Sequence, residues 1–292
     1  MPRTATRLRR VSAVPELRAA ISEARRDGAR IGFVPTMGAL HAGHLSLVER
    51  ARDVTQVVVM SIFVNPLQFG PNEDFSRYPR PIEDDERLAE EAGADLLFTP
   101  TVADMYPEGR TVSVSAGEIA TQWEGAVRPG HFDGVLTVVA KLFNLVQPDV
   151  AVFGRKDLQQ AALVKALVRD LDFPLEILVA PIIREPDGLA LSSRNRYLNE
   201  SDRADALVLS RALNAVAAAF DSGEIHTARL EEIGNSVMNS VKAAATNYFA
   251  VVNRDTFQRE EIAQKGSAVI VAAKLGTTRL IDNIILGEND SN

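Results

Sequence analysis

His41 and His44 stand three residues apart in the run 31–47, IGFVPTMGALHAGHLSL, with Gly38 and Gly43 close by. At that spacing two imidazoles project from one face of a helix's first turns. The start of a helix also presents unpaired backbone N–H groups and the positive end of its dipole, and glycines there let a phosphate approach closely. The chemistry on offer is therefore anion binding with two titratable donors. Zinc is disfavoured, because it needs three or four protein ligands and the chain has four His and no Cys. Two histidines at a helix start can also be plain capping or surface residues; what favours chemistry is the strand, turn and glycines around them.

Those surroundings read as follows. Ile31-Gly32-Phe33-Val34 is an apolar run of strand length that Pro35 should end, and Thr36, Met37 and Gly38 form a turn into the histidine helix. Val14 to Arg26 reads as an amphipathic helix feeding that strand, and Gln56 to Val64 as a second strand, covered on both faces. Strand, helix, strand makes a βαβ unit. Its second strand ends in Asn65-Pro66-Leu67-Gln68-Phe69-Gly70, a polar loop expected beside the first loop on the carboxyl edge of the sheet. The alternation continues with a helix over 83–92, a strand over 95–100, a helix over 134–146, a strand over 150–154, a helix after Arg155-Lys156-Asp157-Leu158-Gln159-Gln160, and a strand over 175–180. The expected fold is α/β: a doubly wound, Rossmann-like parallel sheet with ligands at the carboxyl ends of its strands. Arg184 to Gly188 is a polar, turn-rich junction, so the chain should divide into a Rossmann-like domain, residues 1–184, and a smaller C-terminal α+β lid, 185–292. The lid should carry helices over 203–220 and 229–244 and strands over 248–252 and 268–273. There is no internal repeat and no low-complexity tract.

With 292 residues, 46% of them hydrophobic and 24% charged, the chain has the composition of a soluble globular protein. A net charge of -7 argues against a broad nucleic-acid surface and for small-molecule chemistry. No apolar run is long enough to span a membrane, and the first ten residues lack the apolar stretch of a secretory signal, so the expected location is the cytoplasm. Arg3, Arg7, Arg9 and Arg10 read as a solvated tail.

The tetrapeptide HAGH fits the HxGH signature of the nucleotidylyltransferase superfamily, a resemblance that implies ATP and attack at its α-phosphorus. In order along nearly the whole chain, PTMGALHAGH, SIFVNPLQFGPNEDFSRYPR, RPGHFDGVLTVV, FGRKDLQQ, LSSRNRYL and AAKLGTTRLIDNI resemble the pantothenate synthetases, or pantoate–β-alanine ligases. The resemblance implies a two-step condensation. ATP adenylates the carboxylate of pantoate and releases pyrophosphate, and the amine of β-alanine then displaces AMP. It further implies a homodimer joined through the large domain, and Mg²⁺ alongside the triphosphate.

Residue by residue, the resemblance assigns ATP to Met37, Gly38, Ala39, Leu40, His41, Ala42, Gly43 and His44, with His44 as the main catalytic histidine and His41 beside it. Lys156 of the GRKD run and Ser192, Ser193 and Arg194 of LSSRN should cover the phosphates, the last three from a lid whose closure would complete the site. Lys156 and Arg194 count with the histidines as catalytic. Gly154, Arg155 and Asp157 lie in the same ATP motif, Leu191 precedes the serines, and Ile183 corresponds to an apolar contact for adenine. Gln68 and Gln160 match pantoate-binding glutamines; amides bond hydroxyls and carboxylates without adding a competing base. Asn65, Arg128 and His131 are further candidates for substrate or anionic intermediates.

Each assignment has a structural alternative. Ser192 and Ser193 could cap a helix, Gln68 and Gln160 could satisfy loop backbone, and Asp157 could be an N-cap. In the acidic run Glu83-Asp84-Asp85, Asp84 and Asp85 are candidate Mg²⁺ ligands, although acids also favour a helix's first turn for dipole reasons. Trp123 reads as packing. Two positions depart from the family pattern: Arg155 stands where Glu is common, reversing a charge beside Lys156, and Leu191 where Met is common. Other readings are a different HxGH nucleotidylyltransferase acting on a phosphorylated acceptor, or a catalytically impaired nucleotide-binding regulator, for which Arg155 is the sequence hint.

Overall fold

A computed structural model describes residues 8–71 and 73–288. Along the chain run β1 (Arg9–Val11), α1 (Val14–Arg26), β2 (Ile31–Thr36), α2 (Ala42–Arg52), β3 (Val57–Ile62), α3 (Ile82–Ala92), β4 (Leu96–Phe98) and the short α4 (Val102–Met105). Then follow α5 (Glu124–Val127), α6 (His131–Val146), β5 (Val150–Gly154), α7 (Leu158–Asp170), β6 (Glu176–Ala180), α8 (Glu200–Ala206), α9 (Val208–Asp221), α10 (Thr227–Asn239) and β7 (Ala244–Val252), β8 (Ala268–Leu275) and β9 (Thr278–Ile285). They group into two compact units: Met1–Ala120, Arg128–Gly154 and Leu163–Ala180 form one, and Thr121–Val127, Arg155–Ala162 and Pro181–Asn292 the other. The segments 121–127 and 155–162 thus group with residues that follow the 184/185 junction.

The first unit is built on a parallel six-stranded sheet in the order β1-β4-β3-β2-β5-β6. Successive residues on a strand face opposite sides, and here both sides are covered. Phe33, Val59, Phe98 and Phe153 pack with Phe143 of α6 and Leu17 of α1, whereas Val34, Val58, Met60 and Val152 pack with Leu47 and Val48 of α2 and Ala89 of α3. Each such fully buried side chain contributes about 1.5–3 kcal/mol relative to exposure. The chain reverses its direction of travel across the sheet between β2 and β5, which makes their carboxyl ends the topological switch point where ligands bind in such folds.

The sequence reading is corrected in several places. β2 continues through Pro35 to Thr36, because beyond Phe33 it pairs with β3 alone, and there a residue without an N–H is tolerated. Arg9 and Arg10 form no tail; they open β1, in register with Leu96 and Leu97, and Arg10 donates to Thr99 and Glu86. Arg3 and Arg7 lie outside the described residues. α6 begins at His131, after a left-handed Gly130, so the HFD of the RPGHFD run is its first turn.

The second unit carries an antiparallel sheet, β7-β8-β9. Val251, Val269, Val271 and Ala273 pack with Leu209, Leu213 and Val216 of α9 and Leu230 and Met238 of α10. The helix expected over 203–220 divides at Leu207 into α8 and α9, and α10 ends at Asn239, so Ala244 is already strand.

Candidate functional site

In the first unit, the chain leaving β2 turns through two left-handed residues, Gly38 at φ +83° and Ala39 at φ +52°. Two consecutive N–H groups then point the same way, and the buried carboxylate of Asp85 takes both: Oδ2 accepts from Ala39 N at 2.9 Å and Oδ1 from Leu40 N at 2.7 Å. A side chain at Gly38 would put its Cβ 2.8 Å from Asp85 Oδ2, which is why glycine is required there. Asp85 therefore shapes the turn from the first helical turn of α3, while neighbouring Asp84 is solvent-facing, 3.9 Å from Arg87.

The turn delivers His41 to the N-cap of α2 rather than into the helix, so the two histidines do not share a helical face as the spacing suggested. His41 Nδ1 accepts from Gly43 N at 3.2 Å. An accepting Nδ1 carries no proton, so in the neutral ring the proton is on Nε2. His44 lies in the first turn of α2, its ring centroid 4.1 Å from that of His41 with the planes tilted by 37°. The two imidazoles thus sit against each other at a helix N-terminus, through side-chain packing instead of helical phase.

The loop after β3 meets this turn, as its place along the sheet edge predicted. Gln68, buried in a 3-10 turn over Pro66–Gln68, reaches Met37 Sδ with Nε2 at 3.1 Å. Asn65 caps that turn, accepting from Leu67 N at 3.2 Å, and its amide donates to Gln68 Oε1 at 3.1 Å and Gly134 O at 3.0 Å. Tyr106 donates to Asn65 Oδ1 at 2.8 Å. α6 approaches so closely that a Cβ on Gly134 would stand 2.2 Å from Leu67 O, so only glycine lets the helix brace the turn.

Arg128 and His131 complete this network. His131 Nδ1 lies 2.9 Å from Gln68 O, and since a carbonyl can only accept, Nδ1 holds the proton and Nε2 accepts from Arg128 Nη1 at 3.0 Å. Arg128 also donates to Glu73 through Nε at 2.7 Å and Nη2 at 2.6 Å. Burial alone would raise the Glu73 carboxyl, but the hydrogen bonds and charge of Arg128 hold it below the usual range. Burial pushes the Tyr106 phenol well up, keeping it a neutral donor to Asn65. Glu73 and Tyr106 were missed from sequence. The signal was present, since Glu73 lies inside SIFVNPLQFGPNEDFSRYPR and Tyr106 in Met105-Tyr106-Pro107, but nothing local tells that their partners are Arg128 and Asn65.

In the second unit the candidates sit on short turns. Gly154, the last residue of β5, belongs to the first unit, and the chain then enters a 3-10 turn over Arg155–Asp157. Lys156 Nζ is 3.8 Å from Asp157 Oδ2. Arg155, the reversed charge, is largely buried and answered by Glu288 at 3.7 Å. Of the two adjacent glutamines, Gln159 is buried and tied to residues 122–124, accepting from Glu124 N and donating to Gln122 O, whereas Gln160 is half-buried. Leu191 N donates to Ile183 O at 2.9 Å, pairing those two candidates directly. Ser192 caps the 3-10 turn Ser193–Tyr197, accepting from Arg194 N at 3.3 Å. The capping alternative for Ser192 is thus realised, and it orients the segment carrying Ser193 and Arg194. Trp123 is packed, its Nε1 donating to Phe257 O at 2.9 Å and its ring edge-on to Tyr248. Among the described residues no group of three or more His, Asp or Glu side chains is placed to hold a metal ion.

Comparison with known proteins gives one consistent result. The sequence profile described as pantoate-beta-alanine ligase matches residues 9–285. The pantothenate synthetase of Acidobacterium capsulatum is 51% identical over 292 aligned positions, covering 96% of this chain and 98% of that protein. The crystal structure of pantothenate synthetase from Thermus thermophilus superposes with a TM-score of 0.91 at 50% identity, covering 95% of this chain and 99% of that one. The pantoate-beta-alanine ligase of Francisella tularensis, solved with β-γ ATP and β-alanine bound, gives a TM-score of 0.80 at 34% identity over 97% of this chain and all of its own.

Proposed function

The chain belongs to the pantoate-beta-alanine ligase family, and from that premise we propose how its own residues carry out the ATP-dependent condensation of pantoate with β-alanine. In the first step a carboxylate oxygen of pantoate attacks the α-phosphorus of ATP and the bond to pyrophosphate breaks. In the second, the amine of β-alanine attacks the acyl carbon of the adenylate, AMP leaves with the bonding pair, and the amine loses a proton. The first step brings two anions together, so it needs positioning and donors rather than a covalent nucleophile.

Met37 to His44 hold ATP in this reading. The observation that carries it is the Asp85-clamped turn, which delivers two stacked imidazoles to the N-terminus of α2. His44 donates to the phosphate as charge develops, and His41 offers the Nε2 proton that its accepting Nδ1 implies. Gln68 and Gln160 hold the hydroxyls and carboxylate of pantoate. The prior bonding of Gln68 to Asn65 and Met37 supports a prearranged contact; Asn65, Arg128 and His131 then serve by fixing Gln68, with any contact to substrate secondary. Lys156, Ser192, Ser193 and Arg194 are assigned to the phosphates, Gly154, Arg155 and Asp157 to the ATP motif, and Ile183 and Leu191 to the base.

Mg²⁺ accompanies the triphosphate in this reading and neutralises phosphate charge. Such an ion keeps several waters and takes one or two carboxylates. Asp84 is the acid proposed for it, since both oxygens of Asp85 already accept from the turn. No helix among the described residues is long and apolar enough to cross a membrane. A cytoplasmic homodimer that acts on small molecules and binds neither nucleic acid nor membrane is the setting proposed, supported by the family resemblance and the charge of -7.

The test is ATP–pyrophosphate exchange with Mg²⁺, first with pantoate alone and then with β-alanine added. Pantoate-dependent exchange, followed by AMP and pantothenate once β-alanine is present, is the expected result. Exchange absent from folded protein would overturn it.

A further inference from the structure

Two buried polar residues lie side by side on β9, in the core of the second unit, and the roles assigned so far use neither. Asp282 and Asn283 are 3% and 2% exposed on a strand whose neighbours Leu280, Ile281, Ile284 and Ile285 are apolar. Burying a polar group costs free energy that its hydrogen bonds must offset, and of the side-chain polar atoms of this pair only Asn283 Oδ1 has no partner.

Their bonds run to two particular loops. Asn283 Nδ2 donates both of its hydrogens, one to Arg155 O and one to Lys156 O, each at 3.0 Å. These carbonyls belong to the peptide planes on either side of the Lys156 Cα. Holding both planes fixes the backbone of Lys156 and hence the direction in which its side chain leaves the turn. Asp282 takes the guanidinium of Arg184 in two bonds, Nη1 at 2.7 Å and Nη2 at 3.0 Å, and accepts from Asn283 N at 2.8 Å. Arg184 follows Ile183, and its Nη1 also donates to Gly188 O, inside the loop that leads to Leu191 and Ser192. Successive strand residues face opposite sides. Asp282 shares the side of Leu280 and Ile284, which pack on α9 and α10, while Asn283 faces the other way, so one rigid strand reaches both loops.

We propose that Asn283 is a positioning residue for the nucleotide step, holding Lys156 in its working direction through the two flanking carbonyls, while Asp282 and Arg184 anchor the Ile183–Leu191 loop to the same strand. The proposal rests on the assignment of Lys156 to the ATP phosphates made above. Asparagine suits this task because its NH2 has two hydrogens in a plane, one for each carbonyl.

The test compares Asn283→Asp, Asn283→Ala and Lys156→Ala in steady-state pantothenate formation at saturating pantoate and β-alanine. Circular dichroism and thermal melts report the folded fraction. Asn283→Asp keeps the shape but sets a carboxylate against two carbonyl oxygens. It should raise the KM for ATP about tenfold or more, with Asn283→Ala raising it by a smaller factor, since displacement of a catalytic group by about 1 Å costs up to 100-fold. If the role were only structural, the variants would lose thermal stability while their folded fraction kept the wild-type KM for ATP. A wild-type KM for ATP in both Asn283 variants beside a raised KM in Lys156→Ala overturns the proposal. So does a loss confined to kcat that tracks the unfolded fraction. Should Asn283→Asp not fold, Asn283→Ala decides alone by the same KM reading. An unchanged KM in Lys156→Ala would instead remove the underlying assignment, a failure read from a different variant.

Discussion

The two units hold their candidate residues by different means. In the first, the candidate side chains are themselves bonded: Gln68 to Asn65 and Met37, His131 to the Gln68 backbone, Arg128 to Glu73, and His41 to Gly43. In the second, Lys156 rides on a 3-10 turn whose carbonyls Asn283 holds, and the loop from Ile183 to Leu191 is tied to the same strand by the Arg184–Asp282 pair. A side chain locked by several bonds suits recognition of one substrate shape, because little order remains to be imposed on binding. A cation on a long stem above a fixed turn suits phosphates, whose charge moves as pyrophosphate departs.

This contrast can be broken or sharpened by substitution. The largest effect is expected at His44: His44→Ala should stay folded, with pantoate-dependent pyrophosphate exchange lower on the order of 100-fold or more. Near-normal exchange would remove the histidine from the chemistry. Gln160→Ala should chiefly raise the KM for pantoate, by about tenfold for lost hydrogen bonds to substrate, with the ATP requirement little changed; titration of each substrate in turn separates the two. Gly134→Ala probes the first unit's rigidity without touching a functional side chain. Its methyl would meet the Leu67 carbonyl, so a loss of about 1–3 kcal/mol in denaturant unfolding is expected, together with a weakened pantoate response as the Gln68 turn shifts. A stable variant with unchanged pantoate KM would show that the bracing by α6 is dispensable.

The smallest effect concerns acid. Glu73 is held below its ordinary value of 4.5, so the native state favours the ionised form. The stability this supplies is present above that pH and is lost as the pH falls through the lower folded value. Glu73→Gln should therefore be destabilised by about 1 kcal/mol or less near neutrality, a partly exposed pair being screened by solvent. The difference in thermal midpoint from the parent should close on acidification below 4.5. A gap that persists in acid would assign the effect to packing.

Local patterns foretold much of this molecule and failed at identifiable places. The βαβ alternation and five of the six parallel strands follow from apolar runs of strand length broken by turn residues, a period that the chain shows without help from distant contacts. β1 was missed because three residues, two of them arginine, carry no periodic signal; its pairing with β4 makes it a strand. Pro35 was read as a stop because a proline in a central ladder loses a bond, and only the sheet order reveals that β2 has a single partner at that level. The spacing of His41 and His44 indicated adjacency but the wrong geometry, since the N-cap conformation of His41 depends on the turn that Asp85 clamps from another helix.

Sequence alone determined the residue types, their order and the family, because HAGH, the Asn65–Gly70 loop, the Arg155–Gln160 run and the Leu191–Leu198 segment are contiguous and legible without folding. The alternating runs likewise determined a parallel sheet, since a strand buried on both faces must be apolar throughout. Only the tertiary structure decided which groups hold those residues in place. Asp85 on Ala39 of the turn, Glu73 on Arg128, Tyr106 on Asn65 and Asn283 under Lys156 are each separated from their partners by more than 40 residues, at 46, 55, 41 and 127. Hydrogen bonds over such separations leave no period in the chain. They exist because burial makes an unmet N–H or carbonyl costly, and the fold brings a partner to each.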